Sequence, residues 1–283
     1  MESHAKCEIY YIRHALSFFN LFVELQKCKE SGSSTTGADA SEIEELAKVK
    51  DKFDPKLADP RLTIKGIKQC EDAKAIYHKL PIRCVFVSPL RRALETCELL
   101  FQDHPLKKDI QFIVHPLLTE MLAGSNEIPV PIQEKIEEYG KKKYDFSLFS
   151  GYDRPELYFV YNLNSPENEQ LLKAVKEAEP SISYLETIGN AARERRKTHP
   201  THDRKLENYV NLRKRARLLA LYAMDYMRSH GLKSGEVAVV AHDTIIGQTV
   251  SSDFNSYHKG IFKSLENCSY RLFDVNTLTK LKF

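Results

Sequence analysis

Three strongly apolar runs in this chain each end in basic or imidazole side chains. CEIYYI runs into Arg13-His14, RCVFVS (83–88) into Pro-Leu-Arg91-Arg92, and GEVAVVA into His242-Asp243. Short runs of β-branched and aromatic residues read as strands, and runs this continuous belong to strands covered on both faces, as in a parallel sheet. Helix-like stretches separate them: Leu16 to about Lys29, the segment from Thr63 to Leu80, PLRRALETCELLF (89–101), residues 206–230 with Gly231 as the stop, and DTIIGQTV after His242. QFIVH (111–115) is a further strand, and SYRLFDV with KLKF suggests two last strands joined by a turn near Asn276. Strands alternating with helices predict an α/β fold, a three-layer α/β/α sandwich around a mostly parallel sheet.

At 283 residues and 42% hydrophobic content the chain can bury a substantial core. Its 42 Lys and Arg nearly balance 39 Asp and Glu, so the formal charge of +3 gives no reason to expect nucleic acid as a partner. Six cysteines lie scattered without a CxxC pair, which predicts reduced thiols and no structural zinc. No signal-like N-terminus and no run of 18 apolar residues occurs, so the expected location is cytoplasmic, with no membrane span. SGSSTTGADAS (31–41) reads as an exposed loop followed by charged residues up to Asp59. From about 124 to 204 the sequence is polar, irregular and rich in Tyr and Pro; its YGKKKYDFS and ARERRK runs fit either a lid or a solvated face.

In a doubly wound sheet, ligands bind outside the carboxyl ends of the strands. If the three runs are parallel neighbours, two arginines and two histidines meet at one sheet edge. That is an anion site, because guanidinium forks match phosphate oxygens and helix N-termini add their field. Each group alone has a plainer reading: a surface pair at Arg13-His14, a solvated helix start at Arg91-Arg92, an N-cap at Asp243. Chance must place all three at one end of core strands, and that weakens the plain reading.

These residues resemble the histidine phosphatase superfamily, also called phosphoglycerate mutase-like. RHALSFFN keeps Arg13, His14, Ser17 and Asn20 of its first motif. DPRLTIKGIKQCEDAK is similar to its LT-x-x-G-x-x-Q helix start, SPLRRALETCELL to its SPL-x-RA-x-x-T segment with Arg92 in register, and LLTEML (117–122) to the stretch bearing its acid, Glu120. VAVVAHDTIIG matches the final histidine strand with His242, and ENYVNLRKRARLL sets Glu207 and Arg215 in register with a further family pattern. The resemblance, closest to the mutase-type branch, implies one domain over 1–283 with insertions at about 30–58 and 124–204.

It also implies chemistry: a neutral His14 attacks phosphorus, Arg13, Asn20, Arg92 and His242 bind the phosphate, and Glu120 passes a proton to the leaving oxygen. No metal or other cofactor enters that scheme. Asp243 stands where the acid-phosphatase branch keeps its proton donor, so two carboxyl candidates compete, with Glu120 favoured. Ala15 and Leu16 replace the motif's glycine and glutamate. The leading reading is therefore a metal-independent phosphomonoester hydrolase acting on a phosphorylated small molecule or phosphoprotein. The competing reading is an inactive scaffold or binding subunit of a larger assembly; a phosphomutase ranks below both, because no residues for a second acidic group can be assigned.

Overall fold

The computed structural model describes residues 6–33, 37–177, 182–198, 206–251 and 264–280. Six strands form one sheet: β1 (Glu8–Arg13), β2 (Cys84–Val87), β3 (Gln111–Val114), β4 (Tyr144–Asp145), β5 (Val237–Ala241) and β6 (Tyr270–Asp274). Their order is β4-β3-β2-β5-β1-β6. All neighbours run parallel except β6, which lies antiparallel on β1. The three runs that carry unusual chemistry are thus adjacent central strands, in register from Cys84 opposite Val237 to Arg13 opposite Ala241.

Side chains alternate across these strands, and each face meets its own helices. Ile12, Val85, Val87, Ala238 and Val240 share a core with Leu94, Cys97 and Leu100 of α4 (Arg91–Phe101) and with Cys70 and Tyr77 of α3 (Ile64–Tyr77). Ile9, Tyr11, Phe86, Val237 and Val239 face the other way, onto Leu212, Ala216, Leu219 and Ala223 of α8 (Tyr209–Ser229) and onto Ile245 and Ile246 of α9 (Asp243–Val250). Helices on both faces of a mostly parallel sheet are the predicted three-layer arrangement. A smaller apolar cluster joins α1 (Phe18–Ser31) to α2 (Ala40–Ala47) through Phe18, Leu21, Phe22, Leu46 and Leu57.

Local chemistry sets the helix ends. Ser17, Thr63 and Asn208 accept backbone N–H groups of the first turns that follow them, so the segments read from Leu16, Thr63 and residue 206 begin as helices at Phe18, Ile64 and Tyr209. The stretch from 124 to 204 is more regular than its composition predicts. It holds α5 (Ile132–Gly140), β4, α6 (Glu169–Glu177) and α7 (Ile182–Thr198), each short or polar overall but anchored by buried Ile132 and Tyr139, Val175, or Ile188 and Ala192. The final turn is corrected: Asn276 lies in a 3-10 helix, Val275–Lys280, initiated by Asp274, whose carboxylate accepts the Asn276 N–H. Residues 281–283 of the expected KLKF strand lie outside the described residues. Among the described residues no helix is long and apolar enough to cross a membrane.

Candidate active site

The ladder continues one residue past each central strand, which fixes the backbone of the candidate groups. The His14 N–H donates to Ala241 O (3.0 Å) and the Ser88 N–H to Val240 O (3.0 Å). Three motif residues then clamp the turn after His14. The Thr63 N–H and hydroxyl both donate to Leu16 O (2.9 and 3.0 Å), and Gln69 Oε1 accepts the Leu16 N–H (2.9 Å). Gly66 permits this approach, because a Cβ there would sit 2.1 Å from Leu16 O. The LTIKGIKQ stretch therefore shapes the turn without contributing a reacting group.

Inside that frame two imidazoles meet with ring centroids 5.0 Å apart, His14 with 4% of its surface exposed and His242 with none. His14 Nδ1 lies 2.7 Å from Ala15 O, which requires the proton on Nδ1 and leaves the Nε2 lone pair open. Nε2 accepts from Arg92 Nε at 3.2 Å. Burial, then the Arg92 cation, holds the His14 pKa well below that of an ordinary imidazole. His242 is depressed in the same way, by burial first and then by Arg92 and His14. Its Nε2 is 2.8 Å from Ser88 Oγ, while its buried Nδ1 has no partner among the described residues. Two neutral rings thus flank a buried cation, and one of their nitrogens lacks a partner among the described residues, a cluster called the cup below.

Arg92 is itself buried. Beyond His14 it donates through Nη1 to Asn126 O (2.6 Å), and its Nη2 has no hydrogen bond among the described residues. Glu120 accepts the Met121 and Thr244 N–H groups (2.7 and 3.0 Å), which seats its carboxylate at the start of α9 and within the field of Arg92. Arg215 secures the segment carrying it: its guanidinium forks onto Glu207 (2.6 and 2.8 Å) and donates to the Leu117, Thr119 and Glu120 carbonyls. Arg215 of α8 and Glu207, which lies just before that helix, thus act on Glu120.

The other predicted residues stand further out. Arg13 Nη1 donates to Leu265 O (2.5 Å) and Ser264 Oγ (3.2 Å) and lies 3.8 Å from Asp243. Asp243 accepts from Ser264 Oγ (2.7 Å) and the Leu265 N–H (3.2 Å), so it holds the segment before β6. Asn20 accepts from Ser17 Oγ (3.0 Å) in the capping box of α1. Ala15 is fully buried in the core under α3 and α4, and its N–H donates to Thr96 Oγ1 (3.0 Å).

Several neighbours of the cup were not legible as site residues: Ser88, Asn126, Glu127, and Asn267, whose Nδ2 donates to His14 O (2.9 Å). Glu127 is buried beside Arg92, accepts the Ala123 and Gly124 N–H groups (3.3 and 2.7 Å), and is hydrogen bonded to the Asn126 amide. Burial pushes its pKa up to about 7 against the attraction of Arg92.

Comparison with known proteins adds a family. A sequence model of the histidine phosphatase superfamily (branch 1) matches residues 50–156. No curated protein matches the chain in sequence. In overall structure it is similar to a phosphoglycerate mutase from Bacillus anthracis (16% identity, covering 98% of this chain and 96% of that one, TM-score 0.47). Similar too are an alpha-ribazole phosphatase from Shigella flexneri (13%, 94% and 89%, 0.47) and a mycobacterial glucosyl-3-phosphoglycerate phosphatase (16%, 95% and 90%, 0.45). The matched residues include Thr63, Arg92 and Glu120, so over 50–156 the chain is similar to the histidine phosphatase superfamily, branch 1, in the stretch where its own motifs point the same way.

Proposed function

We propose that this protein is a phosphomonoester hydrolase that transfers the phosphoryl group to His14 Nε2 and then to water. The observation that carries this reading is the pair of buried, neutral imidazoles flanking Arg92, with His14 protonated on Nδ1 and His242 Nδ1 without a partner among the described residues. Attack forms the Nε2–P bond as the P–O bond to the leaving group breaks, and Glu120 gives that oxygen its proton. Glu120 then takes a proton from the water that breaks the Nε2–P bond, restoring His14 and releasing phosphate. Arg92 and His242 donate to the phosphoryl oxygens as charge spreads over them, and Arg13 and Asn20 reach the anion from the rim.

The Arg92 Nε to His14 Nε2 hydrogen bond occupies the attacking lone pair in the resting cup, so an arriving phosphate must draw Arg92 away. A tetrahedral anion offers that guanidinium charge-assisted partners in exchange for a neutral nitrogen. Ala15 does not argue against the reaction, since its methyl group belongs to the core under α3 and α4. Asp243 is assigned to Arg13 and the 264–265 segment rather than to the proton, because its carboxylate accepts from Ser264 Oγ and the Leu265 N–H and forms an ion pair with Arg13. The substrate is a phosphorylated small molecule or phosphoprotein, and six free thiols fit a reducing cytoplasm.

The same Arg92 to His14 contact favours the second reading, a scaffold that keeps the cup closed. One experiment separates them. Purified protein with chelator present is expected to release phosphate from an aryl phosphate between pH 4 and 8, with turnover lost in His14→Ala. Equal rates in the two proteins would reject the hydrolase, and retention of an assembly's function by His14→Ala would support the scaffold.

A further inference from the structure

Lys135 is 2% exposed, pairs with an Asp59 carboxylate that is wholly buried, and touches none of the candidate reacting groups. Burying such a pair is weak as a source of stability, because desolvation of both charges offsets their attraction. Its contacts suggest another purpose. Helix α4 begins at Arg91 with Leu90 as its N-cap residue, and no side chain at that position caps it. Asp59 supplies the missing acceptor from 32 residues away in sequence, its Oδ1 taking the Arg91 N–H at 2.7 Å. Its Oδ2 takes the Val130 N–H at 3.2 Å, four residues after Asn126, whose carbonyl accepts from Arg92 Nη1. Lys135 closes the arrangement by donating to Asp59 and to Pro89 O (2.6 Å), just before α4. Asp59 holds a φ of 41°, a left-handed conformation that persists in a non-glycine residue only where the surroundings over-determine it.

We infer that the Asp59–Lys135 pair is the positioning device for Arg92: one carboxylate fixes both the backbone from which that guanidinium projects and the loop whose carbonyl orients it against His14. This rests on reading Arg92 as the grip on the transferred phosphoryl group. Neither Asp59 nor Lys135 is a catalytic residue, since both act through Arg92. Lys135 belongs to α5, inside the stretch expected to be an insertion, so the insertion contributes to the cup by a route other than covering it.

The test uses the full chain with Lys135→Met and with the uncharged pair Asp59→Asn/Lys135→Met. Replacing both charges removes the penalty of a lone buried ion, so the double variant is expected to fold with stability near that of the parent. In it an amide nitrogen takes the place of the oxygen that accepted the Val130 N–H, and that tie is lost. Hydrolysis of an aryl phosphate should fall about 10²-fold in kcat/KM, as for a reacting group displaced by roughly 1 Å, with a loss in kcat beside any rise in KM. Two readouts stand apart from turnover: the affinity for inorganic phosphate by calorimetry, expected to weaken at least about tenfold, and the His14 imidazole titration by NMR, identified by its loss in His14→Ala. The titration should move up as the Arg92 cation retreats. If the variants lose thermal stability but keep phosphate affinity, kcat and the His14 titration within about threefold, the pair is merely structural and the inference fails. If Lys135→Met does not fold, the double variant decides on the same criteria. A parent that hydrolyses nothing while the variants shift the His14 titration would sink the hydrolase reading and leave the positioning role intact.

Discussion

Arg92 and Arg215 are both buried guanidiniums beside the same loop, yet their surroundings differ in kind. Arg215 lies in a fork with Glu207 and reaches three backbone carbonyls. Arg92 meets a neutral imidazole and one carbonyl, and the carboxylates that attract it, Glu127, Asp59 and Glu120, act through space. A saturated buried ion holds structure, whereas an undersupplied one keeps a donor uncommitted, as the proposed grip on a phosphoryl group requires. The contrast separates two arginines that a sequence pattern alone treats alike.

The comparison breaks first, and most strongly, at Arg215. Arg215→Met leaves Glu207 buried and uncompensated, and unfolding by urea should show a loss of about 3–5 kcal/mol. A loss under about 1 kcal/mol would mean that the fork contributes no more than an exposed pair. Arg92→Met should show the opposite profile. Stability should change little, because no carboxylate is left in direct contact without its partner, while turnover falls about 10²–10³-fold, or about 2.7–4 kcal/mol of transition-state stabilisation. Inorganic phosphate at about 100 times its Kd should stabilise the parent by about 2.7 kcal/mol and the variant much less, measured as a shift in melting temperature. An Arg92 variant that unfolds as Arg215→Met does and still responds to phosphate would abolish the distinction.

How far the sequence reveals this difference depends on the range of the interactions. The parallel core and its chemistry are legible because Arg13-His14, Arg91-Arg92 and His242-Asp243 stand at or within a few residues of the ends of their strands, and a strand's end is a local property. The α/β class and the order of elements follow from the same periodicity. What holds those groups is not local. Leu16 is clamped from Thr63 and Gln69, Arg91 is capped by Asp59, and Asp59 is neutralised from Lys135. Nothing in GSNEIPVPIQEK marks Asn126, Glu127 or Lys135 as neighbours of the cup, because their burial arises only when the 124–131 segment packs against α4. The short helices α5 and α6 were hidden for a related reason: each shows one or two buried apolar residues, too few to reveal a period. Asp243 and Asn20 could be placed near the cup from their motifs, but only the contacts with Leu265 and Ser17 show what their side chains already hold.

The smallest expected effect compares the two buried glutamates, Glu127 and Glu207. Burial raises both and the Glu120 charge adds to each, but Glu207 has the Arg215 fork against it, whereas Glu127 has Arg92 only at a distance. The remaining groups facing Glu127 are the Ala123 and Gly124 N–H donors, which favour its ionised form, and the Asn126 amide. With a folded pKa of about 7 against an ordinary 4.5, the native protein binds a proton that the unfolded chain has released between those values. The contribution is therefore fully stabilising below about pH 4.5 and is lost as the pH rises through 7, a change of about 3–4 kcal/mol at most. Glu127→Gln should flatten that part of the stability profile between pH 5 and 8 while leaving the pH dependence due to other groups. An unchanged slope would place the Glu127 carboxylate in a setting as well compensated as that of Glu207, and the loop beside Arg92 would then be as saturated as the one beside Arg215.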